Sequence, residues 1–513
     1  MVSIPNYSSS SAILFFLQLF LLLQSSYSQK NSNLNPGPYP DFSTTQYSKK
    51  VVLELSEKVI SADCTNRPSV VINGTFPGPE LRFKVGDQVE IRVHNLLKFN
   101  TTLHWHGLSQ YGSPFADGTE KISQYAIPPG GYFDYIFQLE ANSAGTYIYH
   151  AHVGFHLMTC HGAFIVEDLK SPPFKYDKEL VMLFADYYHN LEQQITAGLD
   201  EVPFKWLGEP QSMVVNGTLW VHVIQLVPLA AVPPAIIIAL LSNQIRLIEV
   251  IGITVLTYLY FGIEDHPALS VIEADGGYVR PASTEHIQLH SGQLSQTSSS
   301  TRRSNTWLTE KFEALDPNEV APTASEVTRR ITITGQQRKA PDGHINWFIN
   351  GEKYVETQPQ IPFLVRAYTT KLKPDYEAAA KNNGFDKKLR AYPVKFNDVV
   401  EFVVLNQVST AGVTETHPWH RGALPQDAHP PRHRDYFLIQ TRCLLLQHYT
   451  SAGHGNGWMV LRMRAETPGA FLMHCHTQPH AAMGMAAVIL VGIENLPPLP
   501  PGYINKFVTP PPS

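Results

Sequence analysis

Alternation of apolar and polar positions, bounded by Gly, Pro and Asn, dominates both ends of the chain and predicts short β-strands. The pattern repeats. "VGDQVEIRVHN" (residues 85–95) matches "FNDVVEFVVLN" (396–406), and each leads to a histidine cluster, "HWHG" at 104–107 and "HPWH" at 417–420. "AGTYIYHAHVGFH" (144–156) then matches "PGAFLMHCHTQPH" (468–480) without a gap. Two corresponding β-domains therefore flank a middle one, and the outer pair reads as antiparallel barrels or sandwiches without a long amphipathic helix. The middle segment, about 175–325, is again strand-like at "EDHPALSVIEADGGYVRPASTEHIQLHSGQ" (264–293) but holds no His-x-His pair.

Two stretches break the pattern. Residues 219–242 are nearly uncharged and of membrane-spanning length, yet Pro228, Pro233 and Pro234 interrupt them. They read as an irregular insertion or a mistranslated segment, with a membrane-tethered, non-catalytic protein as the competing hypothesis. Residues 295–306 are a polar low-complexity run. At the N-terminus an apolar run, Ala12 to Leu23, followed by small residues reads as a signal peptide over 1–28, cut near Ser28. Sequons at Asn73, Asn100 and Asn216 fit a secreted glycoprotein.

At 513 residues the chain exceeds a single core, and two to four domains are expected. Its 33 Gly and 39 Pro, with 16% charged residues, suit a turn-rich β-protein. A net charge of −5 without a basic stripe gives no footprint for nucleic acid. Histidine is the outlier, with 22 copies against 9 Met and 4 Cys. Four cysteines cannot form a dense disulfide framework in a chain this long. Cys475, between two histidines, reads as a ligand, which leaves Cys64, Cys160 and Cys443 for one bridge and one free thiol.

Strand geometry makes the third-domain motif chemical. In "HCH" (474–476) the two histidines face one way and Cys475 the other, so one tripeptide touches two centres. His480 and Met485 follow, and Cys, two His and a Met are the donors of a blue-copper electron-transfer site. Tetrahedral zinc has no use for the Met. The first domain supplies two His-x-His pairs, His104/His106 and His150/His152, with Ala151 where the third domain has Cys475.

The residues "INGTFPGPELRFKVGD", "LHWHGLSQ", "ADGTEKISQYAIPPG", "GTYIYHAHVGFH", "VIEADGGYV", "THPWH" and "GAFLMHCHTQPHAAMGM" resemble the multicopper oxidases, most closely fungal ascorbate-oxidase-like and laccase-like members. The resemblance spans about 45–498, with breaks at 219–242, 295–325 and 421–446. It implies an all-β chain of three cupredoxin-like Greek-key β-barrel domains, at 45–170, 175–325 and 326–513. It also implies four copper ions. By the family pattern His417, Cys475, His480 and Met485 hold type 1 copper, and His104 and His420 hold type 2 copper. His106, His150, His152, His474 and His476 hold the type 3 pair. The family has six histidines there, and here the run after His420 turns to Arg421 and Gly422 where the sixth is expected. Asp117 matches a family proton relay, Gln478 stands where many relatives have a second acid, and Glu264 or Asp265 is placed to face the type 1 site. The implied activity is one-electron oxidation of phenols, aromatic diols or enediols such as ascorbate by dioxygen. The alternative is a copper-binding homologue with impaired oxygen reduction.

Overall fold

The computed structural model describes residues 39, 49–207, 210–219, 235–237, 246–257, 259–263, 269–289, 293–299, 313–317, 322–355, 361–370, 372–406 and 458–500. The leader at 1–28, most of the run 219–242, Glu264, Asp265, His417, His420, the stretch 421–446 and Cys443 lie outside the described residues.

The first unit packs two four-stranded sheets face to face. One contains Arg67–Ile72, Lys49–Ile60, Gln88–Asn95 and Tyr132–Gln138; the other contains Leu81–Lys84, His161–Glu167, Gly145–Ala151 and Leu103–His106. In Gln88–Asn95 burial alternates residue by residue, with Val89, Ile91 and Val93 fully buried, as the period-2 pattern dictates. The third unit repeats this plan. Arg329–Lys339 pairs with Val399–Asn406 as Lys49–Ile60 pairs with Gln88–Asn95, and Gly469–His474 corresponds to Gly145–Ala151. A middle unit carries a six-stranded sheet that includes Lys178–Tyr187 and Arg246–Gly252.

The outer units, read from sequence as antiparallel barrels or sandwiches, also contain parallel pairs, as does the middle one. Lys49–Ile60 runs parallel to Gln88–Asn95, Leu81–Lys84 parallel to His161–Glu167, and Lys178–Tyr187 parallel to Arg246–Gly252. Each parallel pair is closed by a connection long enough to cross the barrel, which a two-residue hairpin cannot do. The third unit also contains short helices at Phe363–Thr370, Tyr376–Lys381 and Gln478–Ala482. Among the described residues no helix is long and apolar enough to cross a membrane. Cys64, Cys160 and Cys475 are free thiols, so the expected bridge does not join Cys64 to Cys160. Cys160 is fully buried in the first core while Cys64 is exposed.

A third copy of the repeat emerges from a turn. Asn73, Asn216 and Asn350 each precede a glycine and adopt left-handed φ values of 51°, 49° and 52°. Each amide side chain bridges its hairpin to a neighbouring strand. Asn73 accepts from Glu54 N at 2.7 Å and donates to Val52 O at 3.2 Å. Asn216 does the same with Leu183 N and Val181 O, at 2.8 and 2.9 Å, and Asn350 with Thr334 N and Thr332 O, both at 2.8 Å. Asn-Gly suits a turn that needs positive φ at both central positions. The middle unit therefore shares the plan of the outer two.

Candidate metal centre

The strands Leu103–His106 and Gly145–Ala151 lie side by side, with His104 opposite His150 in register. Alternation sends His104 and His106 to one face and Trp105 to the other. Trp105 is 1% exposed and packs edge-on to Tyr135 at 5.2 Å between ring centroids. The buried aromatic anchor fixes the strand's rotation and so aims both imidazoles. His152 continues the second strand, its N–H donating to Thr102 O at 3.2 Å.

The third unit delivers two more rings. His474 ends the strand Gly469–His474, and His476 follows two residues on. The His106 and His476 ring centroids are 4.8 Å apart, His152 and His474 5.2 Å, and His150 and His476 5.5 Å. Within the first unit His104 stands 5.5 Å from His150 and 5.4 Å from His152. Six imidazoles from two halves of the chain thus converge. Donor nitrogens of His104, His106 and His150 lie within 4.8 Å of one another.

Outer hydrogen bonds set which nitrogen faces inward. Nδ1 of His104 donates to Asp117 O at 2.7 Å, Nδ1 of His150 to Ala151 O at 2.9 Å, and Nδ1 of His474 to Cys475 O at 3.0 Å. Each bond leaves Nε2 with its lone pair. Nε2 of His150, a residue 2% exposed, is buried without a hydrogen-bond partner, as a group awaiting a metal would be. Burial, and then the neighbouring imidazoles, push His150, His152 and His476 well below the usual histidine pKa. Burial brings His474 down to about 4. Neutral imidazoles in a dry cluster suit copper, whose sites favour nitrogen donors.

A second group forms behind the tripeptide. Sγ of Cys475 lies 3.5 Å from Nδ1 of His480, and Cys475 N–H donates to Met485 O at 3.1 Å. Burial pushes the Cys475 thiol up, so metal uptake there must displace a proton. Trp347 covers His480 with ring centroids 4.2 Å apart. The Met485 methyl sits so close to Gly335 that a Cβ there would come within 2.6 Å of it.

Asp117 borders the six-ring cluster. Its Oδ2 accepts the Thr119 hydroxyl at 2.6 Å, and Oδ1 is 3.6 Å from Nδ1 of His104. Gly118, at φ +85°, packs so tightly under Leu103 that a Cβ would meet the Leu103 carbonyl oxygen at 1.7 Å. Of the residues singled out from sequence, the structure brings together His104, His106, His150, His152, His474 and His476, with Asp117 beside them. It groups Cys475 and His480, with Met485 next to them. His417, His420, Glu264 and Asp265 fall outside the described residues. Sequence reading missed Trp347 and Gly335. Nothing in their local pattern marks them, because their partners lie far away in the chain.

Family models described as multicopper oxidase match residues 54–171, 178–306 and 447–495. The chain belongs to the multicopper oxidase family, copper-dependent oxidoreductases with oxygen as acceptor. It is 31% identical to the multicopper oxidase aurL2 of Gibberella zeae, over 89% of this chain and 91% of that one. It is 28% identical to laccase-like multicopper oxidase 1 of Thermothelomyces thermophilus, over 90% of each chain. An L-ascorbate oxidase of Nicotiana tabacum is 29% identical over 84% of this chain and 88% of its own. Among solved structures, a laccase from Botrytis aclada matches the fold with a TM-score of 0.63 at 19% identity, covering 92% of this chain and 94% of that chain.

Proposed function

We propose that this chain is a secreted laccase-type oxidase that draws single electrons from small phenolic or enediol donors and passes them to dioxygen. The observation that carries this reading is the bridge within residues 474–476. Cys475 turns toward His480, while the flanking imidazoles enter the six-histidine cluster. One tripeptide thereby joins an electron-accepting group to a group suited to oxygen.

His104, His106, His150, His152, His474 and His476, with His420, would hold the oxygen-reducing coppers. Cys475, His480, Met485 and His417 would hold the electron-accepting one, four ions in all. Copper bound at these two groups supplies one-electron acceptance at the first and four-electron delivery to oxygen at the second. The protein's own part is orientation and proton supply. The Asp117 carbonyl fixes the His104 ring, and its carboxylate, held by Thr119, is the acid at hand beside the cluster. Gln478 carries no titratable proton, which concentrates proton delivery on Asp117. Trp347 packs over His480 and holds that ring in place beside Cys475.

Oxygen uptake by purified, copper-loaded protein tests the proposal. Consumption with a simple phenol above that with ascorbate supports the laccase-type reading, and the reverse ranking makes the chain an ascorbate oxidase. A second reading rests on the sequence after His420, which lacks the sixth type 3 histidine. A blue protein that takes up no oxygen with either donor would establish that impaired form.

A further inference from the structure

We propose that Gln478 is a positioning residue that locks the two histidine-bearing segments together through the middle unit. The inference rests on the reading of His150, His152, His474 and His476 as copper ligands. Gln478 lies two residues past His476, and Gly154 two past His152. The Gln478 side-chain N–H donates to Gly154 O at 2.7 Å, tying the exits of the two segments directly. Its backbone N–H donates to Val255 O at 2.9 Å, tying the same point to the middle unit.

The Val255 end is rigid. Asp186, 1% exposed on the strand Lys178–Tyr187, accepts from Val255 N at 2.7 Å, Leu256 N at 2.9 Å, and Thr257 N and Oγ1 at 3.2 and 3.3 Å. Burial pushes the Asp186 carboxyl up while these donors pull the other way, so the carboxylate and the turn stabilise each other only while both are in place. Phe155, Tyr188, Val255 and Pro479, one or more from each unit, line a small apolar space beside this junction. Asp186 thus anchors the turn, the turn holds Gln478, and Gln478 holds Gly154. The chemistry explains the amide. A carboxylate at 478 has no hydrogen to give the Gly154 carbonyl and would repel it, whereas Gln donates. The chain has a brace where an acid would carry protons.

The copper-free protein provides the first test, by hydrogen exchange in Gln478→Ala and Gln478→Glu. The amides of residue 478 and of 253–257 should exchange about five- to tenfold faster in both variants, the scale of one lost hydrogen bond. Asp186→Asn, remote from the cluster, should loosen 253–257 in the same way. After copper loading, both Gln478 variants should keep the blue band of the Cys475 centre. They should gain a paramagnetic signal from type 3 copper whose magnetic coupling is broken. Unchanged exchange together with an intact coupled pair overturns the proposal. So does a Glu variant indistinguishable from the parent, since that would make side-chain shape sufficient. A parent that takes up no copper refutes the ligand assignment, and the exchange measurement still decides the brace.

Discussion

Acid should weaken this fold through a histidine that holds no copper. His161 opens the strand beside His150, in register with it, and is 0% exposed. Its Nδ1 donates to Leu157 O at 2.7 Å and its Nε2 has no partner, while burial brings its pKa from 6.5 to about 4. A depressed histidine binds fewer protons folded than unfolded. Stability is therefore unaffected above about 6.5 and is lost as pH falls from there toward about 4. Going from about pH 7 to about pH 5.5, the linkage integral gives a loss of about 1.2 kcal/mol for one such group. The assay is urea unfolding of the copper-free protein and of His161→Leu at both pH values. The substitution's packing cost is common to the two conditions and cancels, as does the titration of the six-histidine cluster. The parent should lose about 1.2 kcal/mol more than the variant on acidification. Equal losses would refute the reasoning and mean that His161 takes up its proton without unfolding.

Other outcomes follow from the same geometry. Cys475→Ser should abolish the blue band and donor oxidation while copper remains at the six-histidine cluster, measured by metal content and absorbance. Gly335→Ala should push the Met485 methyl aside, weaken axial ligation and raise the potential of the blue centre in a redox titration. Gly118→Ala combines positive φ with a backbone clash and should cost several kcal/mol, read as a lowered melting temperature or loss of soluble protein. Asn100 is exposed, whereas Asn73 and Asn216 use their amides to bridge strands. Asn100→Gln should therefore remove a glycan without loss of stability, while Asn73→Gln should cost about 1–2 kcal/mol, seen by mass spectrometry and unfolding.

How much of this was legible in the sequence depends on range. The gapless match of 144–156 to 468–480 places the histidines of one unit by analogy with the other, and strand alternation turns Cys475 away from His474 and His476. Both inferences need only local periodicity, and the rings meet as that periodicity requires. What stayed hidden depends on contacts distant in the chain. The parallel pairing of Lys49–Ile60 with Gln88–Asn95 is set by how the barrel closes, not by either strand's pattern. Cys64 and Cys160 are two thiols by count, and only folding puts one inside the core and the other at the surface. The third Asn-Gly turn was present in the letters. It escaped because a single Asn350 carries no histidine to draw attention to the repeat.

The middle unit contributes no histidine to the described cluster, yet the cluster depends on it. The six rings come from two units, and their spacing varies with the angle between those units. An error of about 1 Å in that placement is enough to cost a site most of its activity. Direct ring contacts cannot set the angle, because neutral imidazoles at these separations attract one another only weakly before metal arrives. Contacts outside the cluster must therefore hold it open and in register. The Asp186-held turn at Val255 meets Gln478 on one side, and on the other the backbone of Gly276 presses against Gly145 at the start of the strand that ends in His150 and Ala151. Glu273, fully buried, reaches that same strand by accepting Thr146 N at 3.0 Å. The middle unit thus grips the first unit's histidine strand at its start and the histidine loop of the third unit at Gln478, which in turn holds that strand's exit at Gly154. Preorganisation of this kind moves the entropy of assembling the cluster into the folding of the copper-free chain.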